Sequence, residues 1–212
     1  MFIGVAGLIG AGKTTLTERL AKRLGYKTCF EPVDENPYLS DFYKDIARWT
    51  FPMQMFLLSQ RYQQHLEVIW DPVHRNGGGV VQDRTIYEDT IFARSHHEDG
   101  LMDDRDYLTY TNHFNIMKRF LQYPDIILYL RISPEQAMER IRERARDVEK
   151  DIDISYIQRL YYGYEEFVEE MDRYTVVLTL DWSEFLPTKE VAERILGGAA
   201  DNAKFLRSLR RI

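Results

Sequence analysis

Gly7-Leu8-Ile9-Gly10-Ala11-Gly12-Lys13-Thr14 decides the fold. The stretch has the form GxxxxGK[ST]. An apolar run, Phe2 to Ala6, precedes it, and a segment with helical spacing follows, Thr14 to Leu24, with Leu16, Leu20 and Leu24 on one stripe. Glycines let the backbone fold tightly enough for its N–H groups to point at phosphate oxygens. The helix that opens at the end of the motif adds its positive pole, Lys13 reaches the β- and γ-phosphates, and the Thr14 hydroxyl is placed to ligate Mg²⁺. A chain of this length carries the pattern by chance roughly one time in a hundred, and the flanking strand and helix make chance rarer still. The reading is a nucleoside-triphosphate site formed by Gly7 to Thr14 with Thr15 beside it.

Working outward, four more short runs rich in β-branched residues recur between helical segments and, like the first, read as buried strands: Lys27 to Phe30, Val80 to Gln82, Ile126 to Leu130 and Thr175 to Leu180. Phe51 to Ile69 places Met55, Leu58, Tyr62 and Leu66 on one helical face, and Ser133-Pro134-Glu135-Gln136 reads as an N-cap, an N1 proline and a capping-box glutamine. This alternation predicts an α/β fold around the P-loop: one domain over 1–212, about five parallel strands, and helices on both faces. Asn76-Gly77-Gly78-Gly79 reads as a turn, and Gly197-Gly198 as a break before a last basic helix, Asp201 to Arg211.

Composition narrows the partners. The formal net charge is −6, with 34 acidic against 28 basic residues, so a long nucleic acid is not an expected ligand, whereas a small phosphate-bearing one is. The single Cys29 excludes an intrachain disulfide and fits a reducing compartment. No apolar run approaches the roughly 20 residues of a membrane span, and MFIGVAGLIGAGK lacks a basic leader. A cytoplasmic protein is expected.

A P-loop serves switches, motors and small-molecule kinases alike, so the reaction must be read from the acceptor side. Two predicted strands end in charged groups: Glu31-Pro32-Val33 follows the second and Asp83-Arg84-Thr85 the third. In an open parallel sheet, ligands sit beyond the carboxyl ends of the strands, where these residues would face the P-loop. Asp83 can hold Mg²⁺ and Arg84 can neutralise charge on a transferring phosphoryl group. Taken alone, Glu31 reads as well as a loop acid, and Asp83–Arg84 as a surface ion pair. The helix after Ser133 carries Arg140, Arg142, Arg144 and Arg146 near its C-terminal end. There the helix dipole alone favours cations, but a lid over about 140–153 that brings arginines to the phosphates would also need them.

GLIGAGKT, EPV, FYKD, RWTFPMQMFLLSQR, DRTIYED and RIRERARD, in this order from about Met1 to Tyr164, resemble the deoxyribonucleoside kinases, which include deoxycytidine, deoxyguanosine and deoxyadenosine kinases and related thymidine kinases. The P-loop is generic; EPV, RWTFPMQ and DRTIYED with their spacing are specific. The resemblance implies a P-loop kinase fold with an Arg-rich lid, ATP and Mg²⁺, a deoxyribonucleoside acceptor and a homodimer. By it, Glu31 resembles the base for the 5′-hydroxyl, although either Glu31 or Asp83 fits that role. Asp83-Arg84-Thr85 departs from the family's commoner Glu-Arg-Ser. Gln54 resembles the amide that reads the base edge, Tyr43 and Glu149 the pair on the sugar 3′-hydroxyl, and Phe92 the aromatic that stacks on the base. Arg61 and Asp89 resemble the pair that accompanies purine and deoxycytidine acceptance, where thymidine-preferring relatives carry small or apolar residues. Asn36-Pro37-Tyr38-Leu39 followed by Phe42-Tyr43 tilts the expectation toward deoxyadenosine and deoxyguanosine. The resemblance also implies that Asp181 to Phe185, after the last strand, holds the adenine of ATP. The neighbours His96-His97 read as surface polar residues with no metal-ligand spacing. A nucleoside-monophosphate kinase and a non-catalytic nucleotide-binding subunit are the rivals. EPV and DRT argue against the first, and the presence of Lys13, Thr14, Glu31, Asp83 and Arg84 together against the second.

Overall fold

A computed structural model of the chain describes residues 1–30, 36–42, 44–70, 78–145 and 152–197. Five strands form one parallel sheet in the order β2-β3-β1-β4-β5: β1 Phe2–Gly7, β2 Lys27–Cys29, β3 Val80–Asp83, β4 Ile126–Arg131 and β5 Val176–Asp181. All five lie where the β-branched runs predict them, but the expected burial fails at the sheet edges. Lys27 and Thr28 of β2 are exposed, and Val176 to Leu178 of β5 are only half-buried, because an edge strand has a neighbour on one side only. β1 is buried throughout and β4 over Ile126 to Leu130, because strands covered on both faces read as continuous apolar runs. Beside β1 the connection order changes direction: the chain reaches β2 and β3 on one side of it and β4 and β5 on the other. Ligands in open α/β sheets lie beyond the strand ends at such a switch point.

The helices are α1 Lys13–Leu24, α2 Leu39–Phe42, α3 Ile46–Trp70, α4 Asp89–Glu98, α5 Asp104–Met117, α6 Pro134–Arg144 and α7 Ile154–Met171; residues 188–197 are also helical. α6 begins as its sequence predicts: the Ser133 hydroxyl accepts from Gln136 N at 3.2 Å, and the Gln136 side chain accepts from Ser133 N at 3.3 Å. α3 departs from expectation. It starts five residues before Phe51, with Pro52 inside it and not at its start. The first turn supplies the reason. Asp45 accepts from Arg48 N at 3.2 Å, and the Thr50 hydroxyl bonds the Ile46 carbonyl at 2.6 Å, so the helix is established before the proline removes one donor.

Among the described residues, no helix is long and apolar enough to cross a membrane. The Asn76-Gly77 part of the expected turn and the expected helix Asp201 to Arg211 lie outside the described residues.

Two histidines are buried within this frame. His65 Nε2 lies 2.7 Å from the Gln122 carbonyl, which can only accept, so Nε2 carries the proton; Nδ1 has no hydrogen-bond partner among the described residues. His96 Nδ1 is likewise buried without one. Burial pushes both rings down to about 4. A lowered folded-state value means that the unfolded chain takes up the proton first, so stability is complete above the ordinary histidine pKa of about 6.5 and drains away as pH falls toward 4. The chain should lose about 2 kcal/mol per buried histidine between pH 7 and pH 5. Urea denaturation at the two pH values measures it, and equal midpoints would contradict the assignment.

Candidate active site

The P-loop turns sharply because Gly10 and Gly12 take φ of +84° and +83°, a region where a side chain would be strained. The turn delivers Lys13 and Thr14 to the first turn of α1. Lys13 Nζ donates to the carbonyls of Gly7 at 2.9 Å and Leu8 at 2.8 Å, which draws the ammonium back over the loop. The Thr14 hydroxyl donates to the Asp83 carboxylate. The motif after β1 and the acid at the end of β3 therefore meet directly, as the pairing of Val5 with Asp83 in the sheet requires.

Arg84 follows with φ +60°, its N–H donating to Val5 O at 3.1 Å and its guanidinium 4.5 Å above the Phe92 ring. Phe92 is on α4, three residues after Asp89, so the start of that helix presents both. Asp89 accepts from Arg61 in an ion pair whose side chains are 3% and 1% exposed. Gln54 is two helical turns before Arg61 on α3 and is also buried.

Lys13, Thr14, Asp83, Arg84, Phe92, Gln54 and Arg61 line one cavity of about 1360 Å³. Gly10, Gly12, Lys13, Thr14 and Thr15 form its phosphate end together with Asp83 and Arg84. Gln54, Arg61 and Phe92 form the other. The volume exceeds the roughly 300–1,000 Å³ usual for one small molecule, as a site for two substrates requires. Gly7, Leu8, Ala11 and Asp89 belong to the same constellation through the P-loop backbone and the Arg61 pair.

Arg140 and Arg144 border the cavity from α6. Arg140 also donates to the Trp182 and Ser183 carbonyls at 2.8 and 2.9 Å and lies 4.4 Å above the Phe185 ring, bracing the segment after β5 against the P-loop. Glu31, Tyr43, Arg146 and Glu149, all expected site residues, lie outside the described residues. Phe30, immediately before Glu31 in sequence, lines the cavity.

One reading is corrected. His96 is not a surface residue: it is 5% exposed, stacks on Tyr156 with ring centroids 5.8 Å apart, and lines the cavity. The signal was present in its position one helical turn after Phe92, which puts both rings on one face of α4. His97 points away and pairs with Asp104 at 2.8 Å. Leu39, Phe42 and Tyr156 also line the cavity; the sequence used the first two only as part of a motif that tilts the base preference and gave Tyr156 no role. They carry no charge, and only their neighbours in space distinguish them from core.

Thr14 and Asp83 together offer a hydroxyl and a carboxylate, the hard oxygen donors that suit Mg²⁺. Among the described residues there is no cluster of three His, Cys, Asp or Glu side chains that would bind a metal without help from a substrate. Mg²⁺ commonly binds in this way, through one or two protein oxygens plus phosphates.

The deoxynucleoside kinase family model matches residues 3–202. A curated deoxyadenosine kinase of Dictyostelium discoideum is 47% identical over 193 residues, which is 91% of this chain and 77% of that protein. The deoxyadenosine/deoxycytidine kinase of Bacillus subtilis (strain 168) is 43% identical over 169 residues, 78% of this chain and 76% of that one. The solved structure of deoxyadenosine kinase from M. mycoides with products dCMP and a flexible dCDP bound matches with a TM-score of 0.80 at 33% identity, covering 95% of this chain and 100% of that one.

Proposed function

The chain belongs to the deoxynucleoside kinase family, and from that premise we propose that it moves the γ-phosphoryl group of ATP to the 5′-hydroxyl of a deoxyribonucleoside, with deoxyadenosine the first acceptor. One observation carries the reading: the Thr14–Asp83 contact at the phosphate end and the buried Gln54 and Arg61–Asp89 at the other end belong to a single cavity. Deoxyadenosine stands first because both curated relatives carry it in their names, and deoxycytidine is the second acceptor because one of them does.

In the mechanism, Gly7 to Thr15 cradle the triphosphate. Lys13 and Arg84 offset the charge that spreads over the γ-phosphoryl oxygens. Thr14 and Asp83 would hold Mg²⁺, whose chemistry is to neutralise charge on the β- and γ-oxygens. The Gln54 amide has a donor and an acceptor for the base edge, Arg61–Asp89 reads the polar groups beyond it, and Phe92 stacks on the ring. Glu31 takes the 5′-hydroxyl proton, an assignment supported by its sequence position next to Phe30. Tyr43 and Glu149 hold the 3′-hydroxyl. Residues 140–153 act as a lid within one domain, bringing Arg140, Arg144 and Arg146 to the phosphates and excluding water. The adenine of ATP rests by Phe185 and Arg140.

Transfer of labelled phosphate from ATP to deoxyadenosine, deoxyguanosine, deoxycytidine and thymidine, compared as kcat/KM, tests the assignment. Transfer to none of them overturns it. The protein should be cytoplasmic, since its one cysteine calls for no oxidising compartment. It should also be a homodimer, a reading supported by the exposed apolar residues Leu108 and Ile116 on one face of α5, with Phe120 just beyond it. Light scattering at micromolar concentration should give twice 25.2 kDa.

A further inference from the structure

The turn that carries Asp83 and Arg84 needs support, because a non-glycine residue at φ +60° costs on the order of 1–3 kcal/mol unless its surroundings hold it. The support comes from Glu88, five residues beyond Asp83 and fully buried. One carboxylate oxygen, Oε1, accepts from Thr85 N at 2.8 Å, and Glu88 N donates back to Thr85 O at 3.2 Å. The other, Oε2, accepts from the Tyr164 hydroxyl at 2.9 Å. Tyr164 belongs to α7 and is also fully buried. The residue before it, Gly163, lets α7 come close to α4, since a Cβ there would stand 2.6 Å from Ile91 Cγ2.

Glu88, Thr85 and Tyr164 are not among the residues lining the cavity, so none of them is placed to touch a substrate. A carboxylate buried so completely is expensive, and an apolar side chain would fill the same space at less cost. Both groups that face the phosphates act on it through space. Burial holds the Glu88 carboxyl above its ordinary value, and Arg84, Lys13 and the bonds from Thr85 and Tyr164 offset that only in part.

We propose that Glu88 is a positioning residue for phosphoryl transfer: by bonding Thr85 N–H and Tyr164 O–H at once, it fastens the Asp83–Arg84 turn to α7 and sets where the Arg84 guanidinium stands. The proposal rests on the kinase reading of the site. A guanidinium displaced by about 1 Å is enough to cost on the order of 10²-fold in turnover with little change in ground-state binding.

The test compares E88Q, E88D and E88A with the wild type in kcat, in KM for ATP and deoxynucleoside, and in Tm. The glutamine of E88Q keeps an oxygen for Thr85 N–H and a polar group for Tyr164, without the charge. The aspartate of E88D keeps the charge but is one methylene too short to span both partners. In E88D and E88A, kcat should fall about 10²-fold with both KM values within about threefold of wild type, and E88Q should recover to within about tenfold. E88Q as impaired as E88D, or a loss confined to KM, overturns the proposal. Should E88A not fold, the E88Q and E88D pair still decides. Wild-type turnover in the same assay is the separate check: its absence would count against the kinase reading and not against the role of Glu88.

Discussion

Replacing Lys13 by Met should lower kcat on the order of 10³-fold, with the fold intact and the nucleoside still bound. The side chains are of similar length, so the substitution removes charge and donors more than volume. Lys13 opens α1 and holds its ammonium against the carbonyls of Gly7 and Leu8, at the mouth of the phosphate end. Losing those two buried bonds should cost on the order of 1–3 kcal/mol each in stability, a loss the Tm reports separately from turnover. The catalytic loss is large, since the ammonium acts on charge that redistributes over the γ-phosphoryl and leaving oxygens only as the transition state forms. Rapid-quench turnover supplies the kcat, and a thermal-shift titration with deoxyadenosine supplies the binding. A Lys13→Met enzyme within tenfold of wild type would remove the ammonium from the transition state. A variant that no longer gains Tm from deoxyadenosine would show that the two ends of the cavity are not independent.

What the sequence made legible followed chemistry that repeats locally. Four of the five strands carry apolar runs, while β2, Lys27-Thr28-Cys29, was legible only from its place between two helical segments; the meeting of Asp83 with the P-loop followed from a strand end in a parallel sheet. The start of α3 was misjudged because Pro52 looks like a first-turn residue, and only the Asp45 and Thr50 hydrogen bonds show the helix already under way. His96 was misjudged for another reason: a histidine pair invites a surface reading, and α4 turns one ring inward and the other outward. Glu88 stood in the DRTIYED motif without a role. Its partner Tyr164 is 76 residues away, and no local pattern announces a contact at that separation.

The Arg61–Asp89 pair should be the costliest place in the pocket to change by one residue and among the least costly to change by two. Both side chains are almost fully buried and bonded to each other. Asp89→Ala removes the carboxylate bonded to the buried guanidinium and should cost about 3–5 kcal/mol of stability. The double variant Arg61→Met, Asp89→Ala removes both charges of the pair and should recover most of that loss, because exchanging a buried ion pair for apolar groups is often neutral. Specificity should move the other way. With the pair in place, a base lacking complementary groups should leave donors and acceptors unbonded at about 1–3 kcal/mol each, and thymidine should be disfavoured on that account. In the double variant the penalty is gone, so the kcat/KM ratio of deoxyadenosine to thymidine should fall on the order of 10²-fold. Urea midpoints of the three proteins and the two kcat/KM values decide it. Equal stability of the single and double variants would refute the desolvation argument. An unchanged base ratio in a stable double variant would take Arg61 and Asp89 out of base recognition and leave Gln54 and Phe92 to account for it.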